Sequence, residues 1–280
     1  MGALDGTAAR LQALVPGFPD TYAVETTVPV GPGWSALDAV PIAALCAAAR
    51  ERGNPHRLAS VAAMSVGGAV IHAVLGRVTA AIVLERRAWD LAAAGLVVHQ
   101  APQGHIDRVA LRAPVAWVLP DDPAAGSAGV RVLPDAPTLI GAVAAGAVGT
   151  LGPLLDAVRA ATRFGRVPLW NAAADTVRTT ATFVPLYAGH DPRPGRALAD
   201  ALLDGMIAQG APIRGRGIDE PLAGRPERVP VRAACCLWFR TDPPVPRPSD
   251  AYCTTCPLLD PAERAARYRA FLATVSSADR

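Results

Sequence analysis

The chain lacks lysine altogether: all 27 of its basic residues are arginine. A P-loop needs a lysine on the nucleotide phosphates and a pyridoxal enzyme needs one for its Schiff base, so both chemistries are excluded. Aromatic residues are scarce at 5%, and the net charge is only +3. Few stacking platforms and no strongly basic face mean that nucleic acid is not an expected partner. No G-x-G-x-x-G follows a strand-like run, so no dinucleotide fingerprint is present. The five histidines (His56, His72, His99, His105 and His190) show neither H-E-x-x-H nor facial-triad spacing. Gly33-Trp34-Ser35-Ala36-Leu37 is not a nucleophile elbow.

What the chain does hold is apolar mass. Of 280 residues, 51% are hydrophobic and 18% charged, enough to build a folded core and room for one large or two smaller domains. The first residues show no basic segment leading into an apolar run, so a cytoplasmic protein without a signal peptide is expected. Residues 59–76 and 136–155 carry no formal charge and are long enough to be tested as membrane spans. Both are built from Ala, Gly and Val, and they contain Ser60, Ser65 and His72 in one case and four glycines in the other. Buried core helices are the expectation for each.

Along the chain, Ser35 is placed to cap a helix running to about Arg52, with Gly53-Asn54-Pro55 as its stop. A second helix is expected over 57–76. Four valine-rich runs then read as strands: 78–84, 95–100, 115–120 and 129–133. Helical composition returns over 138–163, 169–186 and 194–209. From 210 to 260, prolines and arginines concentrate and helical periodicity fades, which marks a linker and a loop-rich module. Asp260-Pro261 supplies an N-cap and first-turn proline for a last helix over 261–275. The expected fold class is therefore α+β. Residues 1–225 form a helix-rich domain with a small sheet, and residues 226–280 form a small C-terminal module with a terminal helix.

Cys46 lies in the apolar run PIAALCAAAR and reads as a small buried residue. Cys235, Cys236, Cys253 and Cys256 instead crowd into one short segment. A structural zinc would draw on two C-x2-C knuckles, of which only Cys253/Cys256 is present. A disulfide framework suits an oxidising compartment, and a redox-active C-x-x-C suits a βαβ setting. An iron–sulfur centre of the [2Fe–2S] type takes four thiolates, two on each iron, and so accommodates a vicinal pair more readily than a single ion does.

The string Arg232-Ala-Ala-Cys235-Cys236-Leu237-Trp238-Phe239-Arg240, followed by Cys253-Thr-Thr-Cys256-Pro257-Leu258, resembles the C-terminal module of FhuF-type ferric-siderophore reductases. Pro168-Leu169-Trp170-Asn171-Ala172-Ala173-Ala174-Asp175 is similar to a segment that precedes the module in that family. The likeness is tight over 232–258 and looser over 55–275. The sixteen residues between the two cysteine pairs, Leu237 to Tyr252, exceed the family's usual spacing. The extra length falls in the proline-rich stretch TDPPVPRPSD, and loop-closure cost grows slowly with length.

The resemblance implies a [2Fe–2S] cluster held by Cys235, Cys236, Cys253 and Cys256, with no catalytic residue beyond it. It implies one-electron reduction of a ferric siderophore, so that Fe(II) is released for iron acquisition. An external electron donor would then be required, such as a ferredoxin or a flavoprotein reductase. Peripheral association with the membrane or an importer stays open. Arg232 and Arg240 flank the vicinal pair as candidates to offset cluster charge or steer an anionic ligand, with solvated surface residues as the simpler reading. Trp238 is a candidate shield or ligand contact, against an ordinary core role. A binding protein with a structural zinc at the same four thiols is the competing reading.

Overall fold

The computed structural model describes residues 2–15, 21–52, 54, 56–101, 105–240 and 248–277. Most of the inter-cysteine stretch TDPPVPRPSD, and both Gly53 and Pro55, lie outside the described residues. The architecture is α+β, with long helices forming the body and small sheets of two or three strands at its edges.

A short helix α1 (Asp5–Ala13) precedes the body, which the apolar runs of the sequence form. Helix α3 (Ala59–Ile71) continues through a π turn (His72–Gly76) into α4 (Arg77–Glu85). Residues 78–84 are thus helical, which corrects the strand expectation. Val78, Thr79, Ala80, Ala81 and Ile82 are all buried, so the segment shows no amphipathic period, and its valines alone suggested a strand. Arg86, left-handed at φ 57°, ends the helix. Helices α5 (Ala136–Thr162), α6 (Arg166–Tyr187) and α7 (Arg193–Ala208) follow where helical composition placed them. Small residues let these helices approach closely: a Cβ on Gly195 of α7 would lie 2.3 Å from the Ala181 carbonyl oxygen of α6. Trp170 and Leu169 of α6 are fully buried in the same core.

Among the described residues, two helices are long and apolar enough to cross a membrane: Ala59–Glu85, whose most apolar stretch is 78% buried within the fold, and Ala136–Thr162, at 44%. The first is a core helix, as expected; the second is only partly covered.

The sheet elements differ more from expectation. Strand β1 (Trp34–Ala36) pairs antiparallel with β3 (Leu96–Gln100), which pairs with β4 (Ile106–Leu111). Ser35 therefore faces Val98 across a sheet and caps no helix, and α2 (Ile42–Glu51) starts only after Pro41. Edge pairing captured residues whose local composition was ambiguous. Strands β2 (Ala88–Trp89), β5 (Ala116–Val118) and β6 (Val130–Val132) make a second small sheet.

The proline- and arginine-rich region is not wholly loop. Strands β7 (Ile218–Pro221) and β8 (Arg228–Val231) form an antiparallel hairpin. Gly217, at φ 69°, precedes it, and a Cβ there would lie 2.3 Å from the Val231 carbonyl oxygen. Helix α8 (Pro261–Ser277) packs Tyr268 and Leu272 with Leu222 and Val229 of the hairpin, and Phe183 and Leu186 of α6 join this second cluster. The expected cap is present: Asp260 Oδ1 accepts from the Ala262 and Glu263 N–H groups at 2.9 and 3.2 Å.

Candidate functional site

The four module cysteines sit on two loops, one leaving β8 and one entering α8. Three contacts fix these loops, two of them made by side chains on helices and one by the loop backbones themselves.

The first is Asp175, in the middle of α6 and only 2% exposed. Its two carboxylate oxygens accept from the backbone N–H groups of Ala233 and Ala234, at 2.7 and 2.8 Å. Those are the two residues immediately before Cys235. One turn earlier on the same face, Asn171 Oδ1 accepts from the Arg214 and Gly215 N–H groups at 3.1 and 3.0 Å. Residues 171 and 175 thus pin both the entry to the hairpin and the exit from it. Gly215 is required at this junction, since a Cβ would come within 2.8 Å of Ala233 Cβ. Burial pushes the Asp175 carboxyl up to about 6, although the two N–H donors, Arg232 and Arg178 pull it down.

The second contact is Arg264 of α8, 2% exposed. Its guanidinium donates to the carbonyl oxygens of Cys256 at 3.2 Å and Leu259 at 2.5 Å, and to Glu220 of the hairpin at 2.5 Å. The third ties the loops to each other: the Arg232 N–H donates to the Thr255 carbonyl at 3.0 Å. Arg178 of α6 adds ion pairs to Asp200 of α7 and Asp219 of β7, at 2.7 and 2.8 Å.

Within this frame the thiols meet as two crossed pairs. All four are free thiols; Cys236 hydrogen-bonds with Cys253 and Cys235 with Cys256, so each member of the vicinal pair meets one member of the C-x2-C. Among the described residues, no group of three or more His, Cys, Asp or Glu side chains is set to hold one metal ion. The bond from Cys236, aided by Arg232 and Thr255, holds Cys253 down to about 6 against the effect of burial. The same bond, together with burial, pushes Cys236 up. Burial, then the neighbouring Cys235 and Cys236, raises Cys256.

Backbone donors also converge on sulfur. The Leu237 N–H donates to Cys235 Sγ at 3.4 Å, the Trp238 N–H to Cys236, and the Leu258 N–H to Cys256. To make this turn, Leu237 adopts φ 60°, an uncommon conformation for a bulky residue. Such N–H···S bonds favour the anionic form of a sulfur ligand.

The sequence-derived candidates separate. Arg232 is half-buried beneath the thiols and acts on both Cys236 and Cys253. Its Nε is buried without a hydrogen-bond partner among the described residues. Arg240 is exposed and lies over the Phe239 ring at 5.3 Å. Trp238 is 68% exposed, which overturns its reading as core. Phe239 packs edge-on against Tyr252 at 5.1 Å, linking the two loops. Cys46 is buried in α2, and burial raises it to about 11.

Two residues with a defined place in this frame had no role assigned from sequence. Asp175 ends the Pro168–Asp175 string but nothing local says that a mid-helix carboxylate will be buried. Arg264 follows the Asp260 cap by one turn and looks like any solvated helix arginine. The site thus brings together four free thiols, backbone N–H groups directed at three of the sulfurs, and a guanidinium whose Nε has no hydrogen-bond partner among the described residues. Comparison with family models, with characterised proteins and with solved structures finds no match for this chain.

Proposed function

We propose that this chain is a cytoplasmic ferric-siderophore reductase that holds a [2Fe–2S] cluster on Cys235, Cys236, Cys253 and Cys256. The observation that supports the reading is that four free thiols from the two loops lie close enough to interact, with Cys236 hydrogen-bonded to Cys253 and Cys235 to Cys256. A diiron centre asks for two thiolates at each of two points, whereas a structural zinc asks for all its ligands at one.

When bound, the cluster supplies one electron at a time at low potential. The chain's own residues do the rest. Asp175, Asn171 and Arg264 hold the two loops in register by their backbone atoms. Arg232 places a half-buried positive charge beside the thiols, which would offset the negative charge of the group they hold. The N–H groups of Leu237, Trp238 and Leu258 stabilise sulfur as thiolate. The hard oxygen donors of a siderophore bind Fe(III) far better than Fe(II), so reduction loosens the chelate and frees the metal. The electron comes from a low-potential ferredoxin or a flavoprotein reductase, since the chain carries no dinucleotide fingerprint.

The test is anaerobic purification followed by iron, acid-labile sulfide and zinc analysis, with absorption spectra before and after dithionite. The expected product is brown, with about two irons and two sulfides per chain and bands over roughly 400–600 nm that bleach on reduction. A colourless protein with stoichiometric zinc overturns the proposal.

A further inference from the structure

A cleft of about 440 Å³ opens directly beside Cys235. It is small-molecule sized. Its floor is apolar, formed by Phe164 and Pro168 at the start of α6 and by Leu237. Its polar side chains are Ser60 of α3, Asn171 of α6 and Arg240, and among the described residues no Asp or Glu lines it. The Asn171 Oδ1 atom is already engaged by two backbone N–H groups, which leaves its amide nitrogen as the group free to face a ligand. Arg240 only donates and the Ser60 hydroxyl both donates and accepts, so all three polar side chains can donate to a ligand.

The surroundings have the same sign. Phe164 also borders an adjoining hollow rimmed by Arg159, Arg163 and Arg166, where Asp156 is the acidic partner of Arg159 and Arg166. Arg163 and Arg240 are exposed and form no ion pair among the described residues. The first turns of α3 and α6, neither with a side-chain cap, supply Ser60 and Pro168 to the cleft and add their positive helix ends.

We infer that this cleft is the docking site for a small, negatively charged Fe(III) chelate with carboxylate or catecholate oxygens. The inference rests on the reductase reading above and names its substrate class. The chelate sets its ring or backbone carbons on Phe164, Pro168 and Leu237, and its oxygens on Ser60, Asn171 and Arg240. Its Fe(III) then lies next to the cysteine pair. One electron passes from the reduced protein to the chelated Fe(III), giving Fe(II) and the oxidised protein, and no bond of the protein is made or broken. The external donor, a ferredoxin or flavoprotein reductase, restores the electron.

The experiment has two readouts on the purified, cluster-loaded protein. In the first, dithionite-reduced protein freed of excess reductant is mixed with ferric citrate, a ferric tris-catecholate or the cationic ferrioxamine B, and reoxidation is followed by stopped flow. In the second, the redox-inert gallium(III) citrate and gallium(III) tris-catecholate are titrated by calorimetry. Arg240→Gln removes one charge-assisted bond, so KM and the gallium Kd for the anionic chelates rise roughly tenfold, while ferrioxamine B is little affected. Ser60→Phe fills the cleft and weakens every chelate, and exposed Arg112, which follows β4 and is no part of the cleft lining, serves as the unaffected control in Arg112→Gln.

Gallium citrate and catecholate that fail to bind, or that bind Arg240→Gln and Ser60→Phe as tightly as the parent, overturn the docking site. Equal KM for cationic and anionic chelates overturns the charge preference. If no ferric chelate reoxidises the reduced protein, the reductase reading falls, and the gallium titration still decides the cleft.

Discussion

Replacing Asp175 by Asn separates what holds the cysteine loop from what holds the protein. The native carboxylate uses both oxygens, accepting from Ala233 at 2.7 Å and Ala234 at 2.8 Å. An amide keeps one acceptor and turns an NH2 toward the other N–H, so one charge-assisted bond, worth about 1.5–3 kcal/mol, is lost. An opposing effect comes from burial. Raising the carboxyl from 3.8 to about 6 makes its ionised form about 3 kcal/mol less favourable at neutral pH, and Asn removes that cost. The two effects are of similar size. Asp175→Asn is therefore expected to move the global unfolding free energy at pH 7 by less than about 2 kcal/mol. Locally the result is different, because the lost bond belongs to the loop alone. Native-state hydrogen exchange should show at least one of the Ala233 and Ala234 amides losing protection by roughly tenfold or more, with the α5 and α7 amides unchanged. Cluster content per chain should fall in parallel. If both amides keep their parental protection while urea unfolding shifts by several kcal/mol, Asp175 is a core residue and does not position the loop.

Four further outcomes follow from the same geometry. Serine at any one of Cys235, Cys236, Cys253 or Cys256 should lower iron content and bleach the visible bands, whereas Cys46→Ser, remote in α2, should leave both intact. His72 is held down to about 3, first by burial and then by Arg77 and Arg232. Between about pH 6.5 and 3 the unfolded chain therefore takes up a proton that the folded chain refuses, and stability is lost as pH falls, by up to about 1.4 kcal/mol per pH unit. His72→Asn keeps an acceptor for Arg77 and should flatten that slope in urea titrations. Asp175 has the opposite sign, its raised carboxyl losing stability as pH climbs from about 4 to 6, so Asp175→Asn should steepen the acid slope in the same assay. Gly195→Ala places a methyl 2.3 Å from the Ala181 carbonyl and must spread α6 from α7. A loss of about 1–3 kcal/mol in thermal or urea unfolding is expected, and an unchanged Tm would mean the helices are not so closely packed.

Local sequence determined the elements whose signal is local. Helical composition over 138–163, 169–186 and 194–209 places α5, α6 and α7 to within a few residues, and Asp260-Pro261 places the start of α8. Turn residues and valine runs place β3, β5 and β6. The crowding of four cysteines after residue 230 is also visible by inspection. Residues 78–84 and Ser35 show the limit. A segment buried on every side has no hydrophobic period to read, and a three-residue edge strand exists only because β3 lies beside it.

Only the tertiary structure decided which thiol faces which, because Cys235 and Cys256 are brought together by a hairpin, a mid-helix carboxylate and an arginine from the last helix. Neither side chain is marked by a motif: Asp175 lies far upstream of Cys235, and Arg264 follows a cap that would serve any helix. A long-range hydrogen bond leaves no trace in the periodicity of either partner, so the frame of the site had to come from the fold. The absent lysines exclude a P-loop and a lysine Schiff base whatever the fold. The arginines that replace them, Arg232 beneath the thiols and Arg240 at the mouth of the cleft, acquire their different places from packing alone.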